Sequence, residues 1–243
     1  MRLNYPSGRN ALAPGVKSDL IAHLEKTTLD PKCRAIVITG AESTFSAGGD
    51  VKGMKDSNIT KSVERLTDLQ HIVRLIATAK KPMIAAVEGN AAGGGMSIAA
   101  ACDVVIAAED AKFSGAATKI GLIPDMGAVW FLRARMGVGA ARYFLMTGNV
   151  LSAAEAAHLG LVEKVVANGT ALSVAQSQAA KFAAASATAL CYTKAAFQHS
   201  PSELEDALAF ELASQEICFN SIDFQEGKAA FLEKRAPNFT DPA

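Results

Sequence analysis

Phe45-Ser46-Ala47-Gly48-Gly49-Asp50 follows the strand-like run Ala35-Ile36-Val37-Ile38, and Ala92-Gly93-Gly94-Gly95-Met96-Ser97 follows Met83-Ile84-Ala85-Ala86-Val87. Each stretch leads into residues that can begin a helix. Glycine lets backbone approach backbone, or a ligand, where a Cβ would block the way. A peptide N–H at a helix start has no intrahelical partner and lies at the positive end of the dipole. Two such N–H groups aimed at one point form an oxyanion hole, able to stabilise an enolate or a tetrahedral oxyanion. Either turn alone is satisfied by close strand–helix packing. The pair, in matching strand–glycine–helix settings, favours a site.

Composition narrows the field. A chain of 243 residues suits one moderately large domain, or a core with a small appendage. Half the residues are apolar and 20% are charged, which argues against disorder and points to surface buried in an oligomer. Lys plus Arg equals Asp plus Glu, 24 each, so no net positive field recruits nucleic acid. Cys33, Cys102, Cys191 and Cys218 are scattered without a CxxC, which fits a reduced cytoplasm. His23, His158 and His199 are isolated, and no histidine–carboxylate spacing suggests a metal. Met1-Arg2-Leu3-Asn4-Tyr5-Pro6 lacks the apolar stretch of a signal peptide. The most apolar region, 83–108, is interrupted by Glu88, Asp103 and glycines, so it reads as core and not as a membrane span. A soluble protein is expected.

Helix and strand patterns alternate to about residue 168, the signature of an α/β architecture. Val16, Leu20, Ile21 and Leu24 share a helical face, with Pro14 in the first turn. Asp103–Ala107 and Leu161–Val166 read as strands, and Ser152-Ala-Ala-Glu155 as a capping box opening a short helix. Beyond Asn168-Gly169 the strand signals stop. Helices are expected over 170–185, 187–199, 202–219 and 222–235. Trp130 and Phe131 are expected in the core, and Cys102 as a small apolar packing residue.

Three further segments accompany the glycine turns: Asn10-Ala11-Leu12, Ile120-Gly121-Leu122-Ile123-Pro124-Asp125, and Glu226 to Arg235. In this order and spacing the set resembles the crotonase (enoyl-CoA hydratase/isomerase) superfamily across essentially the whole chain. Leu151–Ala156 with Leu159-Gly160-Leu161-Val162 is similar to that family's later core helix and strand. The resemblance implies an α/β spiral of ββα turns over 1–186, and a helical C-terminal trimerisation region over 187–243. It also implies acyl-CoA thioester substrates, assembly as trimers or hexamers, and no cofactor beyond the coenzyme A of the substrate itself. Family members usually carry a further strand or hairpin before Leu3-Asn4-Tyr5-Pro6, which here comes almost at once.

By the same resemblance, the N–H groups of Gly49 and Gly94 hold the thioester oxygen. The Ala47 carbonyl and Lys52 line the adenine and phosphate end of coenzyme A. Phe231 and Lys234 match an aromatic and a cation lent to the nucleotide by a neighbouring subunit. Ordinary helix packing accounts equally for Phe231, and a solvated surface charge for Lys234. Ser114 and Thr118 flank the expected acyl pocket. Hydratases of the family place two glutamates where this chain has Ser97 and Ala117. Adding water across a conjugated double bond needs one group to activate water and one to manage the α-proton. Neither residue can hold a proton for that purpose.

Asp125 falls where isomerase-type members, including the ring-epoxide and oxepin isomerases of phenylacetate breakdown, carry an acid. A single carboxylate suits a 1,3-proton shift through a thioester dienolate. Asp125 is also well placed to cap the helix that follows. The expected activity is acyl-CoA double-bond isomerisation. The alternatives are a hydratase with atypical acids, and a non-catalytic acyl-CoA-binding homologue. A third is a hydrolase or dehalogenase in which Asp125 attacks covalently and His71 serves as base.

Overall fold

Ile36-Val37-Ile38 and Met83-Ile84-Ala85-Ala86-Val87 carry apolar residues without alternation, the pattern of strands covered on both faces. In a computed structural model, which describes residues 1–51, 58–199 and 203–241, they form β2 (Ile36–Gly40) and β3 (Met83–Val87), paired in parallel from Ile36↔Met83 to Thr39↔Ala86. β1 (Arg2–Leu3), β5 (Val104–Ala108) and β8 (Lys164–Val166) extend this sheet, in the order β1-β2-β3-β5-β8, all parallel. Parallel neighbours need crossovers. From β1 to β5 these are α1 (Pro14–Leu29), α2 (Ile59–Thr78) and α3 (Gly94–Ala101).

A smaller sheet runs alongside. β4 (Asn90–Ala92) follows β3 after Gly89, a left-handed turn at φ 57°, and pairs in parallel with β6 (Lys112–Ser114). β7 (Val150–Ser152) closes it antiparallel to β6, and Ser46 joins it by an isolated bridge to Ala91. The passages from β2, β3 and β5 thus each lay one strand in the large sheet and one segment in the small sheet before entering a helix. This is the expected ββα spiral. The core between sheets and helices is built on Ile38, Phe45, Ile72, Ile76, Met83, Met96, Ile98 and Phe113, all essentially fully buried. Full burial of such a side chain contributes about 1.5–3 kcal/mol. Ile84, Ala86 and Ile106 face the other way, onto Ala171 and Ala175 of α6 (Ala171–Ala183).

α4 (Ala128–Thr147) is broken at Gly137, whose φ of 75° and ψ of 162° are not helical. α5 (Ala153–His158) starts at the predicted capping box. Ser152 Oγ accepts from the Glu155 amide, and the Ser152 amide donates to Glu155 Oε2 at 2.8 Å. The strand expected from Leu161 begins only at Lys164. The Leu161 and Val162 amides both donate to Ala156 O at the end of α5, so these buried residues close a turn. Trp130 is not in the core. It is 56% exposed on the outer face of α4, while Phe131 packs against the core.

After α6 come α7 (Ala187–His199), α8 (Leu204–Phe219) and α9 (Ile222–Glu233). Lys194 of α7 is buried, with its ammonium donating to Ile76 O, Lys81 O and Asp103 Oδ2. Outward from α7 to α9, Phe197, Leu204, Leu212, Ile222 and Phe231 are all mostly exposed, an apolar pattern without cover among the described residues. Among the described residues, no helix is long and apolar enough to cross a membrane.

Candidate active site

The two glycine turns lie directly against one another. The Ser46 amide donates to Asn90 O and the Ala92 amide to Ser46 O, both at 2.9 Å. A Cβ on Gly95 would fall 2.6 Å from Ser46 Cβ, and one on Gly48 would fall 2.4 Å from Ala92 O and 3.1 Å from the Gly94 nitrogen. The first turn is pinned from outside by fully buried Asn10, whose Nδ2 donates to Ala41 O and Thr44 O and whose Oδ1 accepts from the Tyr5 amide. Ser46 Oγ donates to Asn10 O and accepts from the Gly48 amide, and the Leu12 amide donates to Gly48 O. The Asn10-Ala11-Leu12 segment is therefore the buttress of this turn.

Gly93 takes φ 48° and ψ −119°, a conformation open to glycine, and its amide donates to Ser114 O at 2.9 Å. That leaves Gly94 as the first residue of α3, where an amide has no helical acceptor. Among the described residues, neither the Gly94 nor the Gly49 amide has a hydrogen-bond acceptor. Gly49 is followed by Asp50 and Val51, which are not helical; the helix expected after them falls on residues 52–57, outside the described residues, and the next described helix begins at Ile59 behind Asn58 as its cap. The Gly49 amide is oriented by the bridge to Leu12.

Leu12 and Met126 cover Gly94. A Cβ there would meet Met126 Sδ at 2.7 Å and Leu12 Cδ1 at 3.0 Å. Asp125, the neighbour of Met126, is thereby brought beside the second turn. Ser97 Oγ ties it there, lying 3.2 Å from Asp125 O and 3.3 Å from Gly93 O. The Asp125 side chain does not cap α4. Met126 and Gly127 both have positive φ, the cap position falls on Gly127, and no side chain bonds the helix end. The carboxyl is half-buried, and burial raises its pKa, opposed by its own backbone amide and by the Arg65 cation. Arg65 carries no signal in the sequence that marks it for a site. It stands one turn before Leu69 on the row of α2 that buries Leu69, Ile72, Val73 and Ile76, a place where a cation is out of pattern.

The remaining candidates fall elsewhere. His71 Nε2 lies 3.0 Å from Glu25 Oε1, a contact between α2 and α1. Ala117 sits half-buried in a 3-10 turn, and Thr118 Oγ1 donates to Leu145 O of α4. Cys102 is buried, its thiol pushed up to about 12 by desolvation, and it is inert packing as expected. The Ala47 amide donates to Arg9 O, and the residue stays partly exposed beside Gly48. Lys52 lies outside the described residues. Phe231 and Lys234 are exposed at the end of α9, Lys234 in the left-handed conformation that stops the helix. Among the described residues, no group of His, Cys, Asp and Glu could hold a metal. Among the described residues, the arrangement sets two amides without an acceptor, Gly49 and Gly94, on adjoining turns, with the half-buried Asp125 on the loop tied to the second of them.

Known proteins carry the same frame. The family described as enoyl-CoA hydratase/isomerase matches residues 1–242. A protein of Mycobacterium bovis named as a probable enoyl-CoA hydratase is 37% identical over 239 residues, covering 98% of this chain and 92% of its own. The 1,2-epoxyphenylacetyl-CoA isomerase of Escherichia coli is 35% identical over 250 residues, covering 99% and 94%. The crystal structure of an enoyl-CoA hydratase from a Polaromonas species superposes with a TM-score of 0.94 at 36% identity, covering 98% of this chain and 95% of that one.

Proposed function

The chain belongs to the enoyl-CoA hydratase/isomerase family, and from that premise we propose that it is an acyl-CoA double-bond isomerase with Asp125 as its single acid–base group. The observation that carries the reading is the Ser97–Asp125 contact. Where hydratases of the family carry a glutamate, this chain has a hydroxyl committed to the carbonyls of Gly93 and Asp125, and that bond ties the residue bearing the Asp125 carboxyl to the second glycine turn. A hydratase needs a second proton-handling group, and Ala117 supplies none.

A 3-enoyl thioester places its carbonyl oxygen between the Gly49 and Gly94 amides. The Asp125 carboxylate takes a proton from the α carbon, and the C–H electron pair passes into a dienolate whose oxygen the two amides hold. Removing one such donor typically costs about 10²–10³ in rate. The carboxylic acid then returns the proton to the γ carbon, and the dienolate electrons collapse to leave the double bond between α and β. No atom is gained or lost. The pKa raised by burial suits the second step, since the group must hold its proton long enough to give it back.

The Ala47 carbonyl, Lys52, and Phe231 with Lys234 of a neighbouring subunit are assigned to the coenzyme A end. The division into a core over 1–186 and an assembly region over 187–243 is part of the same reading, as are a trimer or hexamer and a cytoplasmic setting. The uncovered apolar residues of α7 to α9 support self-association. So does a groove of about 740 Å³ between α7 and α8, lined by Tyr192, Phe197, Leu208 and Leu212. Turnover on 3-enoyl-CoA, 2-enoyl-CoA and aryl-CoA thioesters tests the activity. Conversion of 3-enoyl to conjugated 2-enoyl thioester is expected. Hydration of 2-enoyl-CoA without any 3-enoyl conversion would replace this reading by the hydratase.

A further inference from the structure

The half of α4 before its break at Gly137 buries Ala128, Leu132 and Met136, four residues apart on one face. This piece and the loop that leads into it are joined to α3 at both ends. At the near end, Ser97 Oγ lies 3.2 Å from Asp125 O, and Met126 Sδ covers Gly94. At the far end stands Arg135, with all three guanidinium nitrogens engaged. Its Nε donates to Ala100 O at 2.9 Å, one terminal nitrogen to Cys102 O and the other to Glu163 Oε1. Ala100 and Cys102 close α3, where carbonyls lack helical donors and a cation meets the negative end of the dipole. Glu163 Oε2 in turn accepts from the Val105 amide at 2.6 Å, which ties the pin to β5. Behind it, a Cβ on Gly160 would fall 2.7 Å from Arg135 O, so this backbone is backed as closely as glycine allows.

We propose that Arg135 is a positioning residue for the proton transfer: it pins residues 125–136 to the closing turn of α3 and so fixes the register of Asp125 against Gly94. Both of those groups lie at the opposite end of α3. The apolar contacts of Leu132 and Met136 are non-directional and set no register by themselves. The Ser97 hydroxyl gives one fixed point, which leaves a pivot, and Arg135 gives the second. A guanidinium suits the task because it stays charged and its rigid fork addresses two carbonyls and a carboxylate at once. Arg135 touches no reacting atom and moves no proton. The proposal rests on the isomerase reading for what Asp125 does, but not for how Asp125 is held.

The test uses three variants of the full chain. Arg135→Met keeps an apolar stem without the fork, Arg135→Lys keeps the charge, and Glu163→Gln loosens the guanidinium without removing it. Each is assayed well below its Tm, with folding confirmed by circular dichroism. On 3-enoyl-CoA, Arg135→Met should lower kcat about 10- to 100-fold at nearly constant KM, since a misplacement of about 1 Å can cost about a hundredfold. Arg135→Lys should recover part of the loss, and Glu163→Gln should fall between Arg135→Lys and wild type. Hydrogen–deuterium exchange of the Ala128 amide, which donates to Asp125 O, should quicken in the same order while β3 stays protected. Should Arg135→Met fail to fold, the other two variants carry the comparison. A lowered Tm with unchanged kcat per folded molecule overturns the proposal, and so does a raised KM at constant kcat. If wild type does not isomerise 3-enoyl-CoA, the isomerase reading falls and the exchange measurement decides alone. Exchange at Ala128 as slow as in wild type then overturns the positioning role, and faster exchange confined to that end of α4 upholds it.

Discussion

Ser97 Oγ lies 3.2 Å from the backbone oxygen of Asp125, so the second glycine turn and the loop before α4 are held together by a side chain too short and too weakly acidic to do acid–base work itself. The contact explains how one helix start can present both an amide donor at Gly94 and a carboxyl from a segment 28 residues beyond Ser97. In the proposed mechanism it divides the labour: Ser97 positions and Asp125 carries the proton.

Replacing that carboxyl is the most direct test. Asp125→Asn keeps shape and polarity but cannot carry a proton, and general acid–base groups contribute about 10²–10⁴ in rate. Isomerase turnover should fall by at least about a hundredfold, together with exchange of the substrate's α and γ protons in deuterated solvent. Stability should move the other way. Burial raises the Asp125 pKa in the folded state, so the native protein binds this proton more tightly than the unfolded chain does. The stability tied to this group is then fully present below the unfolded pKa and is lost as pH rises through the folded pKa. Asparagine carries no such penalty. The variant should melt at or slightly above wild type at neutral pH, and the gap should close in acid. Because Gly127 and not Asp125 caps α4, Asp125→Ala should show no cap loss either. An asparagine variant with wild-type turnover would end the assignment.

The Gly94 amide yields a second test. Proline is accepted at the first helical position, where Gly94 stands, and removes the N–H. Gly94→Pro should retain its far-ultraviolet circular dichroism and lose about 10²–10³ or more in turnover of any thioester. A folded variant with near wild-type rates would show that this amide holds no oxyanion.

Gly95 separates packing from catalysis. A side-chain Cβ at this position would collide with Ser46, 2.6 Å from its Cβ and 2.7 Å from its backbone oxygen, and that oxygen already accepts from Ala92. Gly95→Ala should therefore destabilise by about 1–3 kcal/mol through overpacking, seen as a lower Tm, before any effect on chemistry is counted. If Tm is unchanged and only turnover falls, the close approach of the two turns is not what holds them.

Both glycine turns, the parallel strands behind them and the later helices were legible because each has a local cause: apolar runs, glycine where backbones touch, a capping box at Ser152. What escaped depends on three-dimensional company. The cap of α4 moved to Gly127 because Met126 and Gly127 turn left-handed, at φ 52° and 74°, which no spacing rule announces. Trp130 reads as core by composition, yet it faces outward on α4 with exposed Val129 and Met146. A pattern of apolar residues does not say whether its own chain or a second one provides the cover. Arg65 is silent in the sequence for the opposite reason. It interrupts an apolar row of α2, and such an interruption gains meaning only when Asp125, far along the chain, is seen beside it.

Lys194 gives the last prediction, and it bears on the proposed boundary near residue 186. Its ammonium reaches from α7 into the main body, donating to Ile76 O and Lys81 O and lying 2.8 Å from Asp103 Oδ2, which also accepts from the Met83 amide at the start of β3. The C-terminal helices are thus bonded to the central strand by a buried charge. Removing one member of a buried pair leaves the other uncompensated and typically costs about 3–5 kcal/mol. Asp103 is 29% exposed, so the lower end applies. Lys194→Ala should destabilise by about 3 kcal/mol, or roughly 6–12 °C in Tm for a chain of this size. Lys194→Met, which keeps the packing of the stem but not the charge, should recover only part of it. A fragment ending at residue 186 should unfold earlier than the full chain for the same reason, whatever its state of assembly. If Lys194→Ala melts with wild type, Asp103 is solvated well enough without its cation. The helical region would then be attached by its apolar contacts alone.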